Sequence, residues 1–172
     1  MKKDLLLIID MQNVYAAGGA WCCPGAEAAA GNIHELISSS GQDLDVIFTG
    51  FIAGSNPKGT WKDYNREYAD INNNDHANAM MDVFREDLKK YPLYTKSVYS
   101  SLDIPEVREA VKKADRVLVA GVVAECCVLS TVMALIDAGA YVVYLKDCVA
   151  GQSKETEAAV ETVISGLEPL QT

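Results

Sequence analysis

Apolar and polar residues fall in alternating blocks along this chain. Leu5 to Ile9 is an unbroken apolar run closed by Asp10, the pattern of a strand buried on both faces. Pro24 to Ser40 is Ala-rich and predicts a helix, and Asp45 to Thr49 predicts a second strand. The stretch from Gly50 to Asn74 has weak periodicity, is punctuated by Gly54, Pro57 and Gly59, and carries Trp61, Tyr64 and Tyr68. A connection of that length reads as a lid or binding loop. His76 to Lys90 predicts a helix with Met80, Met81, Phe84 and Leu88 inward, and Tyr91 to Thr95 predicts a short strand. Pro105 to Lys113 predicts a helix with proline at its favoured first position. Arg116 to Ala120 predicts a strand, followed by a helix from Glu125 to Ala138 that Gly139 closes. Tyr141 to Leu145 predicts another strand. Ser153, with Glu157 four residues on, opens a helix running to Ser165, and a last short strand is expected at Pro169 to Gln171.

This alternation predicts an α/β fold: a three-layer α/β/α sandwich around a mostly parallel, Rossmann-like sheet of about six strands, one domain over residues 1–172. Ligands of such folds sit in the crevice at the carboxyl ends of the strands. That rule directs attention to Asp10, Gly50-Phe51, Lys96, Gly121 to Cys127 and Asp147-Cys148.

Composition narrows the function. Fifteen Lys and Arg against 24 Asp and Glu give a net charge of −9. Nucleic acids and anionic membrane surfaces both need clustered basic residues, so neither is expected as a partner. No apolar run approaches the roughly 20 residues that span a bilayer. The apolar start is too short for a signal peptide and lacks a cleavage site, so a cytoplasmic location is expected. The five Cys are odd in number and are not a disulfide framework. Cys22-Cys23 and Cys126-Cys127 are adjacent, without zinc-knuckle spacing. Cys22 and Cys23 read as structural. Of the two His, His34 reads as a helix-surface residue and His76 as one that opens a helix.

Three reactive groups stand just past three separate strand ends: Asp10, Lys96 and Cys127. The chemistry they imply is nucleophilic. A helix start and a nearby ammonium both favour a thiolate, and a carboxylate beside it could carry the proton. The backbone N–H groups of Val123 and Cys127, at the same helix start, could hold a developing oxyanion. Each group alone has a plain reading as a turn residue, a solvated charge or an inert buried thiol; their convergence at strand ends favours chemistry.

Asp10-Met11-Gln12-Asn13 with Tyr15, Lys96-Ser97-Val98-Tyr99-Ser100, and Gly121-Val122-Val123-Ala124-Glu125-Cys126-Cys127-Val128 followed by Leu129-Ser130-Thr131 occur in that order, with Asp147-Cys148 after the next strand. These segments resemble the isochorismatase-like cysteine hydrolase superfamily, which includes nicotinamidases, N-carbamoylsarcosine amidases and ureidoacrylate amidohydrolases. The resemblance implies an Asp10–Lys96–Cys127 triad with Cys127, not Cys126, as nucleophile. It also implies a cis peptide at Val122-Val123 that aims an amide N–H at the substrate. Cys126 then reads as packed inside, or as one half of a strained vicinal disulfide. In nicotinamidases an Asp and a His after the second strand bind a metal; here Phe51 and Ala53 stand in those places, so no metal and no other cofactor are expected. The usual Thr-Asp before the nucleophile is replaced by Ala124-Glu125.

The function expected is cleavage of a C–N bond in a small amide or ureido substrate through a covalent thioester. Tyr15, Phe51 and Trp61 are candidate substrate contacts, and the aromatic segment could equally serve oligomer contacts; a homo-oligomer is expected. An ether hydrolase without covalent catalysis, or a non-catalytic or redox thiol protein, remain the alternatives.

Overall fold

The computed structural model describes residues 3–40 and 44–168. Five strands form one sheet: β1 (Asp4–Ile9), β2 (Leu44–Phe51), β3 (Leu93–Lys96), β4 (Val117–Val122) and β5 (Val142–Ala150). Their order is β3-β2-β1-β4-β5, and every neighbouring pair is parallel. The sheet therefore has five strands among the described residues rather than six; the strand expected at Pro169 to Gln171 lies outside them.

The apolar runs serve both faces, as their unbroken character requires. Side chains alternate along a strand. Leu6 and Ile8 of β1 and Phe48 of β2 pack with Ala26, Ala30, Ile33 and Ile37 of helix α1 (Ala26–Ser40). Leu5, Leu7 and Ile9 face the other way, against Val107 and Val111 of α5 (Pro105–Lys113), Val132 and Leu135 of α6 (Leu129–Asp137), and Val160 and Ile164 of α7 (Lys154–Ser165). Each such side chain, when fully buried, contributes about 1.5–3 kcal/mol. The result is three layers, with α1 on one face and α5, α6 and α7 on the other. No described helix is long and apolar enough to cross a membrane.

Chain order reverses between β1 and β4, which lie side by side at the centre. In open α/β sheets a reversal of this kind marks where ligands bind, at the carboxyl ends of the two strands. Gly121 allows β4 to run close to β1 there. Its φ is +118°, and a Cβ would fall 2.1 Å from the Ile9 carbonyl oxygen.

Three segments depart from the periodicity. The stretch after β2 is not plain loop: it folds into α2 (Thr60–Glu67) and α3 (Ala69–Asn72). The helix expected over His76 to Lys90 is instead a single turn, α4 (Asp75–Asn78), followed by two 3₁₀ turns at Asp82–Phe84 and Asp87–Lys89. The Met81 N–H donates to the Met11 carbonyl (2.9 Å), and Gln12 bridges to Met80, so this segment is tied to the β1 exit instead of coiling on itself. The Asp87 carboxylate is buried and meets His34 Nδ1 at 2.8 Å, so His34 is a packing partner and not a bare surface residue. Finally, β5 runs on to Ala150, which puts Asp147 and Cys148 within the strand instead of past its end.

Helix α7 is started by Ser153, whose hydroxyl accepts the Thr156 N–H while the Thr156 hydroxyl accepts the Ser153 N–H. Thr156, and not Glu157, completes this capping box. Replacing Ser153 with Ala is expected to cost about 1 kcal/mol. In thermal unfolding that corresponds to a Tm lower by about 2–4 °C for a chain of this size.

Candidate active site

The backbone at the end of β1 turns abruptly. Asp10 is the one described non-glycine residue with a positive φ, 54°. Holding a non-glycine residue there costs of order 1–3 kcal/mol and persists only where neighbours enforce it. They do: the Asp10 N–H donates to the Thr49 carbonyl (2.9 Å), and its own carbonyl accepts the Gln12 N–H (2.7 Å). The turn sends the Asp10 carboxylate to the carboxyl ends of the strands, where it is fully buried.

Lys96, the last residue of β3, reaches the same point from the side. Its Nζ donates to Asp10 Oδ2 at 2.5 Å and to the Val98 carbonyl at 3.2 Å. Cys127 arrives from β4, near enough for the Asp10 carboxylate and the Lys96 ammonium both to act on its thiol. The structure thus brings Asp10, Lys96 and Cys127 together, at 0, 4 and 3% exposure.

The electrostatics of this trio differ from the sequence expectation in one respect. Burial, the largest single influence, would lower the Lys96 pKa, but the Asp10 carboxylate and the Cys127 sulfur together hold the ammonium above its ordinary value. The Cys127 thiol is pushed well above its ordinary value, chiefly by burial and then by the Asp10 charge; Lys96 pulls it down only in part. The resting site is therefore an ion pair facing a neutral thiol, not a preformed thiolate. Burial likewise pushes the neighbouring Cys23 thiol up to about 12.

The peptide between Val122 and Val123 is cis. Past it, the chain makes a wide first turn before α6. The Val123 carbonyl accepts from the N–H groups of Cys126 (3.0 Å) and Val128 (3.2 Å), and not from that of Cys127. An ordinary α-turn would engage the Cys127 amide at this carbonyl. Glu125 holds the turn from outside: its Oε1 accepts the Gln152 N–H at 3.1 Å. Its Oε2 is buried without a partner in the protein and lies 2.6 Å from where a Cβ on Gly151 would be, so a larger residue at 151 would push the Glu125 carboxylate aside. Cys126 is half-buried and free, as are the exposed Cys22 and buried Cys23, so no vicinal disulfide forms.

An aromatic cluster covers the trio. Phe51 is paired with Lys96 across the β2–β3 ladder, and the Lys96 ammonium sits 5.7 Å from the Phe51 ring centroid. Phe51 packs on Trp61 and Tyr64, each at 6.0 Å between centroids. Trp61 also meets Tyr64 (5.2 Å) and Tyr99 (5.1 Å), and Trp21 joins Tyr15 (6.0 Å) to Tyr68 (5.5 Å). Tyr15, Tyr64 and Tyr99 are near enough to the sulfur for its charge to raise their hydroxyl pKa values, after burial, which is the larger cause. Tyr15, Phe51 and Trp61 are joined by Tyr64 and Tyr68 of the same aromatic-bearing segment, and by Trp21 and Tyr99, which the sequence did not single out as lining. Gln12, inside the Asp10 motif, had been given no role of its own. Fully buried, it clamps the backbone of Phe51 by accepting its N–H (2.8 Å) and donating to its carbonyl (3.0 Å).

The residues at the end of β2 do not fit a metal. Phe51 and Ala53 offer no donor, and no cluster of three His, Cys, Asp or Glu able to hold an ion occurs among the described residues. His34 is engaged with Asp87, and His76 is on α4. Asp147 and Cys148 do not join the site; the Asp147 carbonyl accepts from Asn32 at 2.6 Å.

Comparison with solved structures finds the same fold. A cysteine hydrolase from Pseudomonas syringae pv. phaseolicola 1448A superposes with a TM-score of 0.81 at 18% identity, over 96% of this chain and 85% of that one. A pyrazinamidase from Pyrococcus horikoshii in complex with zinc gives 0.77 at 20% identity, over 95% of both chains. An isochorismatase-like hydrolase from Alkaliphilus metalliredigens gives 0.73 at 20% identity, over 95% and 90%. No curated protein matches the sequence significantly. The profile of the isochorismatase domain matches residues 4–169, nearly the whole length, and the chain belongs to that family.

Proposed function

We propose that this protein is a cysteine hydrolase that cleaves the C–N bond of a small amide or ureido compound through a thioester on Cys127, without a metal. The observation that carries the reading is the buried Asp10–Lys96 ion pair with the Cys127 thiol in reach of both charges. As the Cys127 sulfur attacks the substrate carbonyl carbon, its proton passes to the Asp10 carboxylate. The carbonyl oxygen becomes an oxyanion held by the N–H groups of Val123 and Cys127, where one donor typically contributes about 3–4 kcal/mol. The C–N bond breaks and the nitrogen leaves with the proton from Asp10. Water then attacks the thioester and yields a proton to Asp10. The sulfur departs, recovers that proton, and the carboxylic or carbamic acid is released. Lys96 pairs with the Asp10 carboxylate and steadies the sulfur as it gains charge.

Polarisation of the carbonyl falls to backbone donors here, because Phe51 and Ala53 supply no metal ligands. The aromatic rings give the substrate a flat, apolar wall. Replacing Trp61 with Ala is expected to raise KM about tenfold with a smaller change in kcat, as befits lost uniform binding. Steady-state assays on the best amide of a panel check this.

The deciding experiment incubates the protein with a panel of amides and ureido compounds in EDTA, following ammonia or amine release and intact protein mass. Release together with a transient acyl adduct is expected. Turnover of an enol ether with no adduct would point to the ether hydrolase instead, and rapid thiol labelling with no turnover to a non-catalytic thiol protein.

A further inference from the structure

Three small hydroxyl residues behind the trio are fully buried, at 0% exposure each: Thr49 on β2, Ser101 in the turn after β3, and Thr131 on α6. Thr49 Oγ1 donates to Asp10 Oδ1 at 3.0 Å, on the carboxylate oxygen that Lys96 does not hold. Thr49 Oγ1 also lies 3.3 Å from Ser101 Oγ. The Ser101 N–H donates to Thr131 Oγ1 at 3.0 Å, and Thr131 Oγ1 donates to the Cys127 carbonyl at 2.7 Å.

The proton directions are forced. An ionised carboxylate only accepts, so the single Thr49 hydroxyl proton is committed to Asp10. The Ser101–Thr49 bond must then run from Ser101 to Thr49. The Thr131 proton is committed to the Cys127 carbonyl. Every donor in the chain has one acceptor, and the chain joins the carboxylate to the backbone of the nucleophile across three separate elements. Packing alone does not call for hydroxyls here. Val would fill the Thr49 position on a central strand equally well, and a buried hydroxyl costs free energy unless it is bonded.

We infer that Thr49 is a positioning residue for the proposed reaction, and that Ser101 and Thr131 hold it in register with Cys127. With Lys96 on Oδ2 and Thr49 on Oδ1, the plane of the Asp10 carboxylate is fixed. Without Thr49 the buried carboxylate loses one of its two charge-assisted bonds and can rotate about its side chain, away from the geometry that takes the thiol proton. The inference rests on the cysteine hydrolase reading for its turnover assay and is independent of it for its thiol assay.

The test compares Thr49→Val, Thr49→Ser and Ser101→Ala with the unaltered protein. Thr49→Val should lower kcat roughly tenfold or more with KM within about twofold, and Thr49→Ser should return kcat to within about threefold of the starting value. Iodoacetamide alkylation of Cys127, followed by peptide mass spectrometry, should quicken several-fold in Thr49→Val, because a carboxylate turned away no longer holds the thiol up, and not in Thr49→Ser. Ser101→Ala should show the Thr49→Val pattern in weaker form, and it carries the test if Thr49→Val does not fold. Equal kcat values and equal alkylation rates for Thr49→Val and Thr49→Ser would overturn the inference, as would a rise in KM alone. If no amide is turned over but alkylation follows this pattern, the hydroxyl chain stands and the hydrolase reading fails.

Discussion

Cys127→Ala is expected to lose turnover by at least about 10⁴-fold, the scale seen when a covalent nucleophile is removed. Stability should change by about 1 kcal/mol or less, because the substitution removes one sulfur and leaves the Asp10–Lys96 pair matched. Urea unfolding and the acyl adduct are read on the same sample, so a folding defect and a chemical defect are told apart. Cys126→Ala, one residue away and half-buried, should retain turnover. The pair matters because nothing in composition distinguishes these two thiols; only their surroundings do. Since burial and Asp10 hold the Cys127 thiol up, alkylation by iodoacetamide should be slow near neutral pH and should accelerate as the pH rises. Rapid alkylation near pH 7 would mean a preformed thiolate, and retained turnover in Cys127→Ala would end the covalent mechanism.

The frame of the fold was legible because burial on both faces leaves a plain mark. Leu5 to Ile9 has no polar residue because Leu6 and Ile8 meet α1 while Leu5, Leu7 and Ile9 meet α5 to α7. Strand ends were legible for the same reason: an apolar run stops where the backbone leaves the sheet. That is why Asp10, Lys96 and the turn bearing Cys127 could be picked out without coordinates. Edge strands mark themselves less clearly. Lys146 and Asp147 end the apolar run that begins at Tyr141, yet β5 is at the edge of the sheet formed by the described residues, where charged side chains can face water, and it continues to Ala150.

What local pattern could not carry was anything settled by a distant partner. Residues Met81, Phe84 and Asp87 are the buried positions of their segment, a spacing of three that suits 3₁₀ turns. The expected helix placed Leu88 inward and ignored Asp87, whose reason for burial is His34, 53 positions earlier. The aromatic wall is scattered between Tyr15 and Tyr99 and is assembled by the end of β2, by α2 and the turn after it, and by the segments that follow β1 and β3, with no shared period. Thr49 and Ser101 are common residues whose role appears only when their hydroxyl protons are counted. The direction of the Cys127 shift was missed for a related reason: the sequence reveals a helix start and a lysine, but not that the sulfur is 3% exposed and shares its space with a carboxylate.

Lys96→Met separates the two tasks of the buried ion pair. Both side chains have 0% exposure, so removing the ammonium strands the Asp10 carboxylate buried and without its counter-charge. Breaking such a pair from one side typically costs about 3–5 kcal/mol. Met matches Lys in length and apolar stem, so packing is largely conserved and the loss is electrostatic. Turnover should fall by about 10²-fold or more, because neither the developing thiolate nor the ionised carboxylate keeps its counter-charge. Adding Asp10→Asn to Lys96→Met removes the stranded charge. The double variant should regain stability relative to Lys96→Met, by about 2 kcal/mol in urea unfolding, while its activity stays lost. Stability and catalysis thus move in opposite directions between the two variants. A Lys96→Met protein as stable as the starting chain would show that Asp10 does not carry its charge there, and a double variant that recovered turnover would show that the charge is not what drives the reaction.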